Sequence, residues 1–284
     1  MKLIARGREM RWPRRSVIMG IVNLSVDSFS GDGVGSCEEA LDRARGMILE
    51  GAEVIDIGAE SARTNRVAIS EAEEIGHLTR FVEGWELMIE GLGVSERPWL
   101  SVNTWRPGVV REVLAVGGDI LNDIGGLPTG ENAEICGRHG VALLIMHSVG
   151  EPKVAHTGVR YEDVMEELRR FFGEKVALAE GAGLSRESLI LDPGIDFAKQ
   201  REDNLRIYRS LEELREFGRP ILLPVSRKTV IGEVLGLPVA SERDAGTVAC
   251  IVQGMLRGGA IFRVHNVRAA VQAVRMIEAV EGVE

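Results

Sequence analysis

Eight short apolar runs alternate with amphipathic helical stretches along the whole chain, and seven of the eight carry a polar residue at or just after their carboxyl end. That alternation predicts an α/β protein, a (β/α)8 TIM barrel in which residues 1–284 form a single domain. No linker, low-complexity segment or composition break divides the sequence. An open doubly wound sheet is the runner-up, weakened because no GxGxxG opens the first helix.

The runs follow in order. Val17–Val22 (VIMGIV) is apolar, reads as a buried parallel strand and ends at Asn23. A polar, glycine-rich loop leads to a helical pattern over Cys37–Glu50. Val54–Ile57 is the second strand, closed by the loop GAESARTNR, and Ser70–Gly91 is a long amphipathic helix. Trp99–Val102 is the third strand, ending at Asn103, and Pro107 suits the first turn of the next helix. Asp119–Leu121 leads into Asn122 and Asp123, and Glu131–His139 is a short helix. Val141–Met146 ends at His147. Tyr161–Gly181 is helical, with Gly183 as its stop. Leu189–Leu191 meets Asp192 and a Pro-Gly break in LILDPGIDFAK. Asn204–Phe217 is helical. Ile221–Val225 is the seventh strand, awkward for its internal Pro224, which lacks a ladder donor. Arg243–Arg257 is helical, Ala260–Val264 is the last strand and Val267–Glu281 the last helix.

Hydrophobic residues make up 45% of the 284, enough for a sizeable core. A net charge of −9 argues against nucleic acid or a membrane surface as partner. It leaves room for an anionic substrate held by a local cluster of Arg and Lys. No apolar run reaches membrane-spanning length, and MKLIARGREMRWPRR lacks the apolar core of a signal peptide. Cys37, Cys136 and Cys250 have no metal-type spacing and fit reduced thiols. A cytoplasmic protein is expected.

In a barrel the strand ends share one rim, where active sites lie. Asn23, Asp56, Asn103, Asn122, Asp192, Lys228, Arg263 and His265 would gather there. One such residue alone is more often a cap or an Asx turn; repetition over seven strands points to a site. Asp192, Asn103, Asn122 and Asp56 form an acceptor-rich set suited to a neutral planar ligand with several N–H groups. Arg263 and His265, two apart on a strand end, join Arg63 as a donor cluster suited to an anion such as phosphate. Asn23 and nearby carboxylates can accept Mg²⁺, which often arrives with a substrate phosphate. Lys228 can act as a point charge on either ligand. The blander readings are that Arg63 and Arg227 are solvated and that His265 is satisfied by backbone.

These segments together resemble the dihydropteroate synthase family over nearly the whole chain. MGIVNLSVDSFSGDG is similar to the family's MGI-x-N-x-T-P-D-S-F-S-D-G-G, and GAEVIDIGAESAR to GA-x-x-IDVGGESTRPG. SVNTWRPGVVREVLAVGGDILNDIGG looks like the SVDT…GA-x-IINDI block. LLIMHSVGEPK, LILDPGIDFAK, PVSRKTVIG and FRVHNV resemble LMHM-x-G-x-P, LDPG-x-GFGK, SRKS-x-IG and RVHDV. The resemblance implies a barrel enzyme of folate biosynthesis, a homodimer, that joins 6-hydroxymethyl-7,8-dihydropterin pyrophosphate to p-aminobenzoate with Mg²⁺. By matched position, Asp56, Asn103, Asn122, Met146, Asp192 and Lys228 would line the pterin pocket, with Arg263 stacking on the ring. Asn23, Arg63, Arg263 and His265 would hold the pyrophosphate, with Asn23 also near the metal. Phe29, Ser61, Phe197 and Thr229 would shape the aminobenzoate site. Lys228, Arg263, His265 and Arg63 would carry the catalytic work. Ala270, Val274 and Ile277 would be core or dimer interface.

The departures from the family pattern are local. Asn103 stands where the family has Asp, which exchanges an acceptor for a donor and acceptor and removes a charge-assisted bond of about 1.5–3 kcal/mol. Asn103 is expected to favour a fully oxidised pterin ring. The first loop reads Leu24-Ser25-Val26, the second Ser61-Ala62-Arg63-Thr64-Asn65, and Asn266 replaces the Asp after the terminal His. Ile195-Asp196-Phe197-Ala198 replaces x-Gly-Phe-Gly. The alternatives are a pterin-binding homologue without turnover and a methyltransferase using a methylated folate. Retention of Arg263 and His265 argues against the latter, since methyl transfer has no pyrophosphate to hold.

Overall fold

The computed structural model describes residues 1–12, 15–24, 36–60, 68–154 and 156–282. A hairpin comes first, β1 (Lys2–Ala5) and β2 (Arg8–Arg11), joined by Arg6 and Gly7 at φ 47° and 74°. Positive φ at both turn residues matches the twist of two antiparallel strands. The barrel strands are β3 (Val17–Asn23), β4 (Val54–Gly58), β5 (Trp99–Asn103), β6 (Ile120–Asp123), β7 (Ala142–Met146), β8 (Leu189–Asp192), β9 (Leu222–Leu223) and β10 (Ile261–Val264). They pair in parallel in the order β8-β7-β6-β5-β4-β3-β10-β9. A parallel bridge between Leu191 and Ile221 closes the ring.

The helices are α1 (Cys37–Glu50), α2 (Glu71–Leu92), α3 (Pro107–Val116), α4 (Glu131–His139), α5 (Val164–Gly181), α6 (Arg201–Ser210), α7 (Thr229–Leu235), α8 (Asp244–Leu256) and α9 (Val267–Glu281). Local chemistry sets several of their starts. Ser36 caps α1, Ser70 and Glu73 form a capping box on α2, and Asp163 caps α5.

Strand periodicity divides the core in two. Ile18, Val22, Ile55, Ile57, Leu100 and Val102 point outward and pack under the helices. Val17, Met19, Val54, Trp99, Ile120, Leu144, Ile190 and Ile261 point inward, and Leu3, Ala5 and Met10 of the hairpin cover them from below. The amino-terminal end of the barrel is thereby plugged and the carboxyl-terminal end left open.

Most sequence-based spans hold to within a residue or two; the exceptions have physical causes. The 221–225 run is a strand only over Leu222–Leu223, because Pro224 cannot donate. The helix expected from Tyr161 starts at Val164, where Asp163 accepts the Met165 N–H at 2.8 Å. Asn204–Phe217 is α6 starting earlier, at Arg201, followed by a 3-10 turn over Leu211–Phe217. Neither the hairpin nor α7 is expected from the sequence pattern. Cys136 is buried, Cys37 and Cys250 are half-buried, and all three are free thiols. Ala270 and Val274 are core, whereas Met276 and Val280 on α9 are 63% and 64% exposed.

Candidate functional site

At the open end lies a cleft of about 730 Å³, lined by Asn23, Asn103, Asn122, Met146, Asp192, Phe197, Lys228, Thr229, Arg263 and His265, among others. Every one of these was a candidate from the sequence. Strand ends brought together by a parallel barrel account for that agreement: Asn103 pairs with Asn122, and Met146 with Asp192. Arg63, Phe29 and Ser61 lie outside the described residues.

Asp56 is the correction. It sits inside β4, two residues short of its end, is fully buried, and does not line the cleft. Period-two alternation turns it into the barrel, where Ser101 Oγ donates to it at 2.5 Å, Asn122 Nδ2 at 3.1 and 3.2 Å, and Arg263 Nε at 2.7 Å. Its oxygens are taken up by Ser101, Asn122 and Arg263, and it orients the two of these that line the cleft, Asn122 and Arg263. Asn122, with its amide nitrogen on Asp56, presents Oδ1, a buried acceptor without a partner among the described residues. Arg263, held by Nε, keeps its terminal nitrogens for the cleft.

Asp192 ends β8 and accepts the Gly194 N–H at 2.7 Å. Burial pushes its carboxyl up to about 6, opposed by that N–H and by the charges of Lys228, Lys199 and Arg263. The floor is therefore acceptor-rich: Asp192 and Asn122 Oδ1 suit adjacent N–H donors on a flat ring. The Asn103 amide makes no hydrogen bond to the described residues and offers both a donor and an acceptor.

Lys228 Nζ donates to the Ile195 carbonyl at 2.8 Å and lies 4.9 Å from the centre of the Phe197 ring. Burial holds its pKa below the ordinary lysine value, with Asp196 and Asp192 opposing. Ser226 Oγ accepts the His265 backbone N–H at 3.1 Å and lies 2.8 Å from His265 Nδ1. Ser226 Oγ and His265 Nδ1 share one hydrogen, whose donor follows the ring tautomer, so this contact fixes the orientation of the imidazole and turns Nε2 away from Ser226. Backbone alone does not satisfy this ring. Nor is Arg227 merely solvated: it forks onto Asp244 at 2.8 and 3.3 Å.

Several groups at the cleft were not singled out from the sequence. Glu60 accepts from Lys153 Nζ at 2.6 Å and the Ile69 N–H at 3.3 Å and pairs with Arg106 at 2.7 Å. Arg106 also binds the buried Glu74. Lys199 and His147 form a buried pair at 2.8 Å. A sequence signal existed for His147, which directly follows β7, and for Glu60, two residues after β4; Lys199 is placed by a turn.

Asn23 lines the cleft at the end of β3, and its side chain makes no hydrogen bond to the described residues. Among the described residues no cluster of three or more His, Cys, Asp or Glu can hold a metal. The Asn23 amide oxygen is a single neutral oxygen donor at the cleft, of the kind that Mg²⁺ takes beside its waters and substrate oxygens.

The family described as pterin binding enzyme matches residues 19–265. Dihydropteroate synthase of Escherichia coli (strain K12) is 38% identical over 280 residues, covering 98% of this chain and 96% of that one. The Yersinia pestis dihydropteroate synthase, solved with a sulfonamide drug, superposes with a TM-score of 0.90 at 34% identity, with both chains fully covered. The Xanthomonas albilineans dihydropteroate synthase, solved with 7,8-dihydropteroate, does so at 0.84 and 32% identity, again over both full chains.

Proposed function

The chain belongs to the pterin-binding enzymes, in the dihydropteroate synthase family of folate biosynthesis, and from that premise we propose how its residues share the reaction. It is a transferase: 6-hydroxymethyl-7,8-dihydropterin pyrophosphate and p-aminobenzoate give 7,8-dihydropteroate and pyrophosphate. The single observation that carries the residue assignment is the juxtaposition of a buried acceptor floor with a cationic wall in one cleft.

The pterin lies on the floor. Its amino and ring N–H groups donate to Asp192 and Asn122 Oδ1, Asn103 meets the ring edge, and Met146 packs beneath. Asp56 holds Asn122 and Arg263 in place. Arg263, His265 and Lys228 face the exocyclic carbon and its pyrophosphate. As the C–O bond breaks, its electron pair leaves with the pyrophosphate, and the cation left on the CH2 carbon is shared by the pterin ring. Arg263 and His265 take up the leaving-group charge. The amine of p-aminobenzoate, placed by Phe197 and Thr229, attacks that carbon and loses its proton to solvent. Arg63, Phe29 and Ser61 would complete the anion and aminobenzoate subsites. Asn23 would hold Mg²⁺ through its amide oxygen, and the ion, when bound, offsets charge on the pyrophosphate. The chain would work as a cytoplasmic homodimer, with exposed Leu256, Met276 and Val280 on α8 and α9 at the contact.

The test is turnover. Purified protein given the pterin pyrophosphate, p-aminobenzoate and Mg²⁺ should form dihydropteroate, and Lys228→Ala should lose about 100-fold or more in kcat/KM. Full activity in Lys228→Ala would remove Lys228 from the assignment. No wild-type turnover with intact pterin binding would leave only the binding function.

A further inference from the structure

We propose that Lys199 is a positioning residue of the pterin site: from beneath the turn that follows β8 it balances the buried Asp192 carboxylate and ties down the backbone that carries Phe197. The inference rests on the reading of Asp192 as a pterin anchor. Asp192 is 3% exposed and receives one backbone N–H. A carboxylate so buried needs a cation close by. Three act on it: Lys228, which also donates to the Ile195 carbonyl, Lys199, and Arg263, whose Nε is paired with Asp56.

The ammonium of Lys199 is enclosed. Nζ lies 2.8 Å from His147 Nδ1 and donates to the Phe197 carbonyl at 3.1 Å. Burial and the Lys199 charge press His147 down to about 2, so the imidazole is neutral and Nδ1 accepts. Neither acceptor is an anion. Charge balance therefore falls on Asp192, the first of the opposing charges, with Asp203 on α6 and Asp196 in the turn behind it and Lys228 acting against. Asp203 already accepts the Gln200 N–H, and Asp196 is shared by the Asn204 amide and the first N–H groups of α7. From α5, Glu167 lies 3.5 Å from the far nitrogen of His147, and Arg170 acts on the same ring.

The turn itself is wrapped around this ammonium. Gly194 has φ +67°, and a Cβ there would fall 2.1 Å from the His147 carbonyl oxygen and 3.4 Å from Lys199 Nζ. Gly194 also supplies the N–H on Asp192 and accepts the Phe197 N–H at 3.0 Å. One buried cation thus bonds the backbone of the aromatic wall, lies under the turn and acts through its charge on the carboxylate that the turn carries. With its donors engaged, Lys199 acts through Asp192 and Phe197.

The test is calorimetry with 6-hydroxymethyl-7,8-dihydropterin alone, from pH 5 to pH 8.5, on wild type, Lys199→Met and Asp192→Asn. Wild type should lose affinity as pH falls through the protonation of Asp192. Asp192→Asn, read by dialysis at high pterin, should lack that limb. Lys199→Met should move the limb up by about one pH unit and weaken binding about fivefold near pH 6, approaching tenfold at pH 5. If Lys199→Met fails to fold, Lys199→Gln keeps a donor for the Phe197 carbonyl without the charge and should move the limb likewise. A uniform loss at every pH with the limb in place shows a merely structural lysine and overturns the proposal. Wild type that binds no pterin at any pH overturns both the proposal and the assignment beneath it; an unmoved limb in a binding variant overturns the role of Lys199 alone.

Discussion

Asp56 and Asp192 are both buried carboxylates in the upper half of the barrel, and their partners set them apart. Asp56 is saturated by Ser101, Asn122 and Arg263, whereas Asp192 takes one backbone N–H and turns its remaining capacity to the cleft. Only the ionised form of Asp192 accepts two ring N–H groups. Its pKa is raised to about 6, so the accepting form is complete well above pH 6 and is lost as pH falls. Pterin affinity is therefore expected to fall about tenfold per unit below that value, and a binding profile flat from pH 5 to 7 would contradict the assignment. Asn103 carries a second prediction. Its amide can donate where a carboxylate cannot, so Asn103→Asp should bind the dihydropterin more tightly than wild type and the fully oxidised pterin less tightly. Dihydropterin binding that is equal or tighter in the wild type ends that idea. Asn266 has a local account: its Oδ1 caps α9 on the Ala269 N–H and its Nδ2 donates to Asp244. An aspartate at this position would lack that second donor.

Between strands, the turn after β8 is the element that does most to assemble the cleft. Gly194, Asp196 and Ala198 all have positive φ, at 67°, 69° and 50°. Such backbone persists only when its surroundings hold it. Asp196 does much of the holding, because its carboxylate caps α7 while Asn204 bonds it from α6. Gly194→Ala adds a Cβ against the His147 carbonyl and is expected to cost about 3 kcal/mol or more. Chemical denaturation should show that loss together with weakened pterin binding, and a stability change below 1 kcal/mol would contradict the crowding. Here the sequence was only half legible. The Pro-Gly break announced a turn, and Asp192 was picked out by its place at a strand end. But the cap of α7 comes from Asp196, 33 residues away in sequence, so no local pattern announced that helix.

For the whole molecule, closure is what makes eight separate strand ends one site. The bridge from Leu191 to Ile221 and the pairing of β9 with β10 join the two edges of the sheet. That puts Asp192 of β8 and Arg263 of β10 in the same cleft. The hairpin seals the other end. Leu3 is fully buried against the inward layer of the barrel, and Arg6 donates to the carbonyls of Leu114 and Gly118, both at 2.7 Å. Leu3→Ala should therefore cost about 3 kcal/mol, visible as a lower melting temperature with the pterin affinity of the remaining folded protein unchanged. An unchanged melting temperature would mean that the hairpin is a surface decoration.

The sequence by itself determined the alternation of strand and helix, the rim on which polar residues collect, and the family, because these rest on local periodicity and on motifs contiguous in the chain. Tertiary structure alone decided which of those polar residues face a ligand. Asp56 and Asn103 both looked like rim residues, yet position along a strand and the inward pleat send one beneath the cleft and the other into it. Lys199 closes the motif LILDPGIDFAK, but nothing local tells its role, because His147, which its ammonium meets, follows another strand. Whether a buried charge is balanced, saturated or offered to a ligand depends on groups that only the closed barrel brings within hydrogen-bond reach.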